Sequence, residues 1–143
     1  MRSWRVAGLL FACAVLVAGV LVAGGRPLLA AGSLLVIAVL AASQSPLIFP
    51  RSVEAAVAQQ RSAADGRPVV YWRPGCPFCI KLRRRLGADA RRAHWVNIWT
   101  DPAGAAAVRA VAYGNETVPT VVDGDRSFVN PDPAVVRELL RAG

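Results

Sequence analysis

The pattern of apolar and charged positions divides the chain into three stretches. Over residues 1–50 the only charged side chains are Arg2, Arg5 and Arg26. Twenty uncharged residues separate Arg5 from Arg26, and twenty-four separate Arg26 from Arg51. Each run can cross a hydrocarbon core of about 30 Å. The pattern predicts helices over about 6–25 and 28–43, a transmembrane hairpin broken at Gly24-Gly25-Arg26-Pro27, then an exit segment from Gln44 to Pro50. Trp4 sits where an interfacial aromatic belongs. Cys13 reads as a small buried residue within the first helix. A cleaved secretory signal competes with this reading, but the apolar run is long for one and lacks a clean small-x-small site.

Residues 51–66 are polar and rich in Ala and Gln. Ser52 can cap a helix through Val53, Glu54, Ala56 and Val57, so a stalk helix ending near Gly66 is expected, with a flexible linker as the alternative. Residues 67–143 then alternate. Pro68 to Arg73 reads as a buried parallel strand and Cys76 to about Ala90 as a helix, with Cys79, Leu82 and Leu86 on one face. His94 to Trp99 reads as a strand, with Trp95 and Trp99 both facing the core. Asp101 to Tyr113 reads as a helix, Thr117 to Asp123 and Arg126 to Val129 as a hairpin turning at Gly124-Asp125, and Asp132 to Arg141 as a last helix. The order β-α-β-α-β-β-α makes this stretch an α/β domain.

Charge adds orientation. The chain carries net +8, with 16 Arg to one Lys, which suggests a GC-rich genome more than a function. Arg2 and Arg5 flank the first span; Arg51, Arg61 and Arg67 follow the second; Arg26 alone marks the tip. Both ends of the hairpin are therefore expected on the cytoplasmic side. The basic run Lys81, Arg83, Arg84 and Arg85 reads either as a solvated face or as a surface against anionic headgroups. It lacks interleaved stacking aromatics, which argues against nucleic-acid binding.

The chemistry sits in Gly75-Cys76-Pro77-Phe78-Cys79. Three cysteines do not make a disulfide framework, and two of them form this C-x-x-C. A zinc site would need more ligands than Cys76, Cys79 and His94. A structural disulfide would close too small a loop to stabilise much. Placed where a strand turns into a helix, the pair reads as a redox dithiol. Backbone N–H groups and the positive helix end favour the thiolate of Cys76, and Cys79 is placed to resolve a mixed disulfide. His94 reads as a strand-edge residue, not a base. The second signal is Thr117-Val118-Pro119-Thr120, where a proline opens an otherwise central strand. A cis Val118–Pro119 bond would explain it and would turn backbone toward the active sulfur.

Cys76-Pro77-Phe78-Cys79, Thr117-Val118-Pro119 and the turn Asp123-Gly124-Asp125 together resemble the glutaredoxin branch of the thioredoxin-like superfamily, over roughly Pro68 to Arg141. Phe78 stands where that family usually has Tyr, and Gly124 alone answers to its glycine pair. The resemblance implies a thioredoxin-like fold: a four-stranded mixed sheet with three helices. It implies catalysis by Cys76 and Cys79. It places substrate or thiol contacts at Arg73, Pro77, Phe78, Thr117, Val118, Pro119, Gly124 and Asp125, with Arg73 in the electrostatic role of the family's lead-in lysine. It implies no bound cofactor or metal, and a low-molecular-weight thiol, mycothiol or glutathione, as co-substrate.

The expected protein is thus a membrane-anchored thiol–disulfide oxidoreductase facing the cytoplasm. Its expected partners are that thiol, disulfide-bearing proteins and the lipid bilayer. Two other readings stay open at this point: an exported redoxin that oxidises or isomerises folding proteins, and a non-enzymatic module holding an iron–sulfur cluster between two chains.

Overall fold

Val69-Val70-Tyr71-Trp72 forms strand β1, and all four side chains are buried. A strand covered on both faces must be central and continuously apolar. It pairs in parallel with β2 (His94–Asn97) and antiparallel with β3 (Thr120–Asp123), which pairs antiparallel with β4 (Arg126–Val129). The order across the sheet is β2-β1-β3-β4.

The structure, a computed structural model, describes residues 2–43 and 49–142, with side chains described over 11–39 and 49–142. Among them are six α-helices: α1 (Arg2–Ala23), α2 (Pro27–Ser43), α3 (Ala55–Asp65), α4 (Pro77–Leu86), α5 (Pro102–Val111) and α6 (Pro133–Ala142). A 3₁₀ helix, Gly87–Arg92, follows α4. The chain separates into two units, Met1–Ser45 and Pro46–Gly143.

In the first unit α1 ends in a Schellman turn. The Arg26 N–H reaches Leu21 O at 2.9 Å, the Gly25 N–H reaches Val22 O at 3.0 Å, and Gly25 takes φ +73. Pro27 then opens α2, where its missing N–H costs nothing. Small residues line the contact between the helices: Ala14, Ala18 and Ala30 are buried. Large ones point away, with Phe11, Leu16 and Leu28 at 72%, 69% and 87% exposure. The two transmembrane helices expected over about 6–25 and 28–43 are helices, but among the described residues none is long and apolar enough to cross a membrane. At 17 residues, α2 spans about 26 Å, short of the roughly 30 Å of a hydrocarbon core. Most of the exit segment, residues 44–48, lies outside the described residues.

In the second unit the stretch expected as a stalk is part of the globular domain. The helix does end at Asp65, where Gly66 takes φ +70 and bonds Ser62 O. However, α3 packs on β1, β2 and α5, and Ala55 and Ala58 are buried. Gln59 donates to Tyr71 Oη at 3.3 Å. Ser52 does not cap α3. Its hydroxyl accepts from Trp72 Nε1 at 3.0 Å, and Glu54 takes the N-cap position without a side-chain bond. Phe49 also joins the core, stacked on Trp72 at 3.8 Å and edge-on to Trp95 at 5.7 Å. With α3 added to α4, α5 and α6, four helices cover the sheet where three were expected.

The strands are shorter than the apolar pattern suggests. β2 stops at Asn97, whose side chain accepts from the Trp99 N–H at 3.0 Å. That turn breaks the two-residue alternation. Trp95 stays in the core and donates to Ala90 O at 2.7 Å, whereas Trp99 is 61% exposed.

One carboxylate ties two helix starts together. Asp101 caps α5 by accepting from the Gly104 N–H at 2.9 Å, and its other oxygen accepts from the Ala55 N–H at 2.6 Å at the start of α3. Asp101→Ala should therefore cost more than a single cap. It loses a cap worth about 1 kcal/mol and leaves the Ala55 amide unpaired, about 2–4 kcal/mol together. Asp101→Asn, which keeps an acceptor oxygen, should lose about half of that. Urea unfolding followed by tryptophan fluorescence measures both.

Candidate active site

The site stands where β1 gives way to α4. Gly75 turns the chain with φ +76, a left-handed conformation that glycine adopts without steric cost. Cys76 follows in extended conformation as the N-cap of α4. Its Sγ does what a serine or aspartate oxygen does at other caps, accepting from the Cys79 N–H at 3.2 Å. Pro77 occupies the first helical position, and the first helical bond runs from the Ile80 N–H to Cys76 O at 3.0 Å. Phe78 points outward and is 56% exposed.

The second wall comes from the loop before β3. The Val118–Pro119 bond is cis, as expected. The Cys76 thiol donates to Val118 O at 3.3 Å. Thr120, fully buried, donates to Thr117 O at 2.8 Å and closes this loop on itself. Cys76, Cys79, Pro77, Phe78, Thr117, Val118 and Pro119 are thus brought into one place.

Gly124 and Asp125 are not. They form the turn at the far end of β3, and because β3 runs antiparallel to β1 that end lies away from the dithiol. Four strand residues separate Pro119 from Gly124, about 13 Å of extended chain. The residue that does reach the cis-proline loop is Asn130, just past β4. Its N–H donates to Pro119 O at 2.8 Å, and it holds φ +48, a conformation that asparagine tolerates. The only trace of this in the sequence is an asparagine before Pro131, which on its own reads as an ordinary turn.

The two cysteines differ in environment. Both are free thiols, Cys76 5% exposed and Cys79 fully buried. Burial pushes the Cys79 thiol far above the ordinary thiol range, and the bond to Cys76 and the charge of Cys76 add to that. Arg73 opposes the shift through a backbone hydrogen bond and its charge, but does not reverse it. His94 lies at the edge of the sheet, its Nε2 3.0 Å from Asp65 Oδ2, as befits a strand-edge residue. Among the described residues no group of three His, Cys, Asp or Glu side chains could hold a metal ion.

A sheet ordered β2-β1-β3-β4 with a C-x-x-C at the start of the helix after its central strand defines a thioredoxin-like redox domain. Residues 69–128, from the first residue of β1 into β4, match the family model described as Glutaredoxin. No curated protein and no solved structure matches the chain. The match supports a glutaredoxin-like domain of the thioredoxin superfamily over these residues, with a function of the thiol–disulfide oxidoreductase type.

The proton on Cys79 has a consequence for stability. The folded chain holds it more tightly than the unfolded chain does. The associated stability is present below the unfolded thiol pKa of about 8.5 and is lost as pH rises beyond it, by at most about 1.4 kcal/mol per pH unit. Denaturant unfolding of the reduced protein between neutral and alkaline pH should show this decline, and Cys79→Ser should lack it.

Proposed function

We propose that the protein reduces mixed disulfides, and through them protein disulfides, with a low-molecular-weight thiol, mycothiol or glutathione, while its helical hairpin holds it at the cytoplasmic face of a lipid bilayer. The observation that carries the redox half is the Cys76 sulfur, held between the Cys79 N–H and the Val118 carbonyl, beside a second sulfur buried and kept protonated.

The chemistry follows from that asymmetry. The Cys76 thiolate attacks a mixed disulfide at its sulfur, a new Cys76–thiol disulfide forms, and the protein thiolate leaves. The Cys79 N–H already points at the attacking sulfur and stabilises its negative charge without reorganisation. With Cys76 Sγ engaged by substrate, the Val118 carbonyl is free to accept from an extended peptide N–H. A second low-molecular-weight thiolate then attacks the sulfur that came from substrate, forming a low-molecular-weight disulfide and restoring the Cys76 thiolate. Cys79 competes for Cys76 only after losing its proton, which burial opposes. When it does attack, a Cys76–Cys79 disulfide forms and two thiols must reduce it. The one-cysteine route is therefore the principal one for small mixed disulfides. Cys79→Ser should keep most of that turnover and accumulate covalent adducts with protein substrates. Cys76→Ser should abolish both. Equal loss in the two variants, read by a coupled reductase assay, would contradict these roles.

The membrane half rests on the first unit, whose pattern is inverted relative to a helix pair in water. Alanines meet between α1 and α2, while Phe11, Leu16, Val20, Leu28 and Leu35 face outward. Bilayers thin locally around short apolar segments at small cost, which accommodates a helix of about 26 Å. The arginines flanking the hairpin favour the cytoplasmic side for both ends. A green-fluorescent protein fused after Gly143 should be bright and an alkaline phosphatase fused there inactive. A strongly active phosphatase would favour the exported redoxin instead.

A further inference from the structure

Away from the dithiol, the edge strand β2 borders a cleft of about 260 Å³. Arg51, Arg61, Arg67 and Arg91 line it, together with His94 and the buried Trp95. The four guanidinium groups come from four different places: the segment before α3, α3 itself, the lead-in to β1 and the 3₁₀ helix. Asp65 is the carboxylate nearby, paired with His94 at 3.0 Å and Arg67 at 3.8 Å. No carboxylate among the described residues pairs with Arg51, Arg61 or Arg91. Four arginine charges against one carboxylate leave three in excess.

A solvated basic face spreads its charges along one element. Here the fold gathers them around one concavity, where like charges repel and attract an anion. Guanidinium groups present forked N–H donors that match the paired oxygens of a phosphate, and they shed water more readily than ammonium groups. The cleft is slightly smaller than the roughly 300 Å³ at which drug-sized ligand pockets begin, enough for a phosphate ester and its nearest carbons. We propose that this cleft binds a phosphate group through its converging arginines, as a site separate from the dithiol and independent of the redox reading. The phosphate can be carried by an anionic lipid headgroup or by a small soluble ion. Arg51 follows closely in sequence on the end of α2 at Ser43, which favours the lipid.

The test uses the full chain in uncharged detergent at constant ionic strength, with thermal unfolding as the readout. One arm titrates inorganic phosphate against chloride. The other dopes the micelles with phosphatidylglycerol against phosphatidylcholine. The melting temperature should rise in at least one arm. A rise with phosphatidylglycerol alone assigns a lipid headgroup, and a rise with phosphate assigns the free ion. The double variant Arg51→Gln with Arg91→Gln should weaken the apparent affinity about tenfold or more. Lys81→Gln with Arg84→Gln, which removes the same charge from the exposed face of α4, should leave it unchanged. If the first double variant unfolds without ligand, Arg61→Gln on exposed α3 surface replaces it, with a smaller weakening expected. No rise in either arm, or equal weakening by the cleft and α4 variants, would overturn the proposal.

Discussion

The dithiol domain depends on one placement: a sulfur, not an oxygen, at the N-cap of α4. A helix start leaves backbone N–H groups without partners inside the helix, and whatever caps it receives their partial positive charge. Serine or aspartate at a cap serves stability. Cys76 at that position makes the helix serve the sulfur, with the Cys79 N–H 3.2 Å away. The placement holds because β1 is buried on both faces and cannot slide, and because Gly75 supplies the left-handed turn between strand and cap. Pro77 in the first turn removes an N–H that would otherwise need its own partner.

The same local geometry gives two chemically identical side chains different environments. Cys76 is nearly buried against the cis-proline loop, while Cys79, one turn on, is fully buried and faces the core among Leu82 and Leu86. Burial costs a thiolate far more than it costs a thiol, so the inner cysteine holds its proton. The inner sulfur is held back by the hydrophobic packing that stabilises α4. The domain does not need a separate base to tell them apart.

Beyond the dithiol, the fold recruits segments that sequence alone sets apart. Phe49 stacks on Trp72, Ser52 bonds the Trp72 indole, and Asp101 joins the starts of α3 and α5. These contacts bind the stretch after the hairpin into the redoxin core. A domain of about 77 residues is near the lower size limit for an unaided core, and the added helix and aromatic enlarge it. The same wrapping brings Arg51 and Arg61 to the edge of β2, beside Arg67 and Arg91.

Local and periodic features were legible in the sequence. The continuous apolar run of β1, the C-x-x-C at a strand-to-helix turn, the proline opening β3 and the uncharged N-terminal runs each carry a short-range physical signal. They suffice to predict the central strand, the dithiol, the cis-proline loop and a helical hairpin. What they do not carry is distance between remote segments. Trp99 keeps the period of a core position, yet Asn97 turns the chain and leaves it exposed. Gly124 fits a glycine of the thiol pocket by type, yet the antiparallel register of β3 puts it at the opposite end of the sheet. Asn130 looks like a turn residue, and only the pairing of β4 with β3 brings its N–H to Pro119. Residues 51–66 are polar enough to pass for a stalk, because just two alanines of α3 need to be buried for the helix to dock. Side-chain periodicity says which residues avoid water, and only strand register and helix docking decide which of them meet.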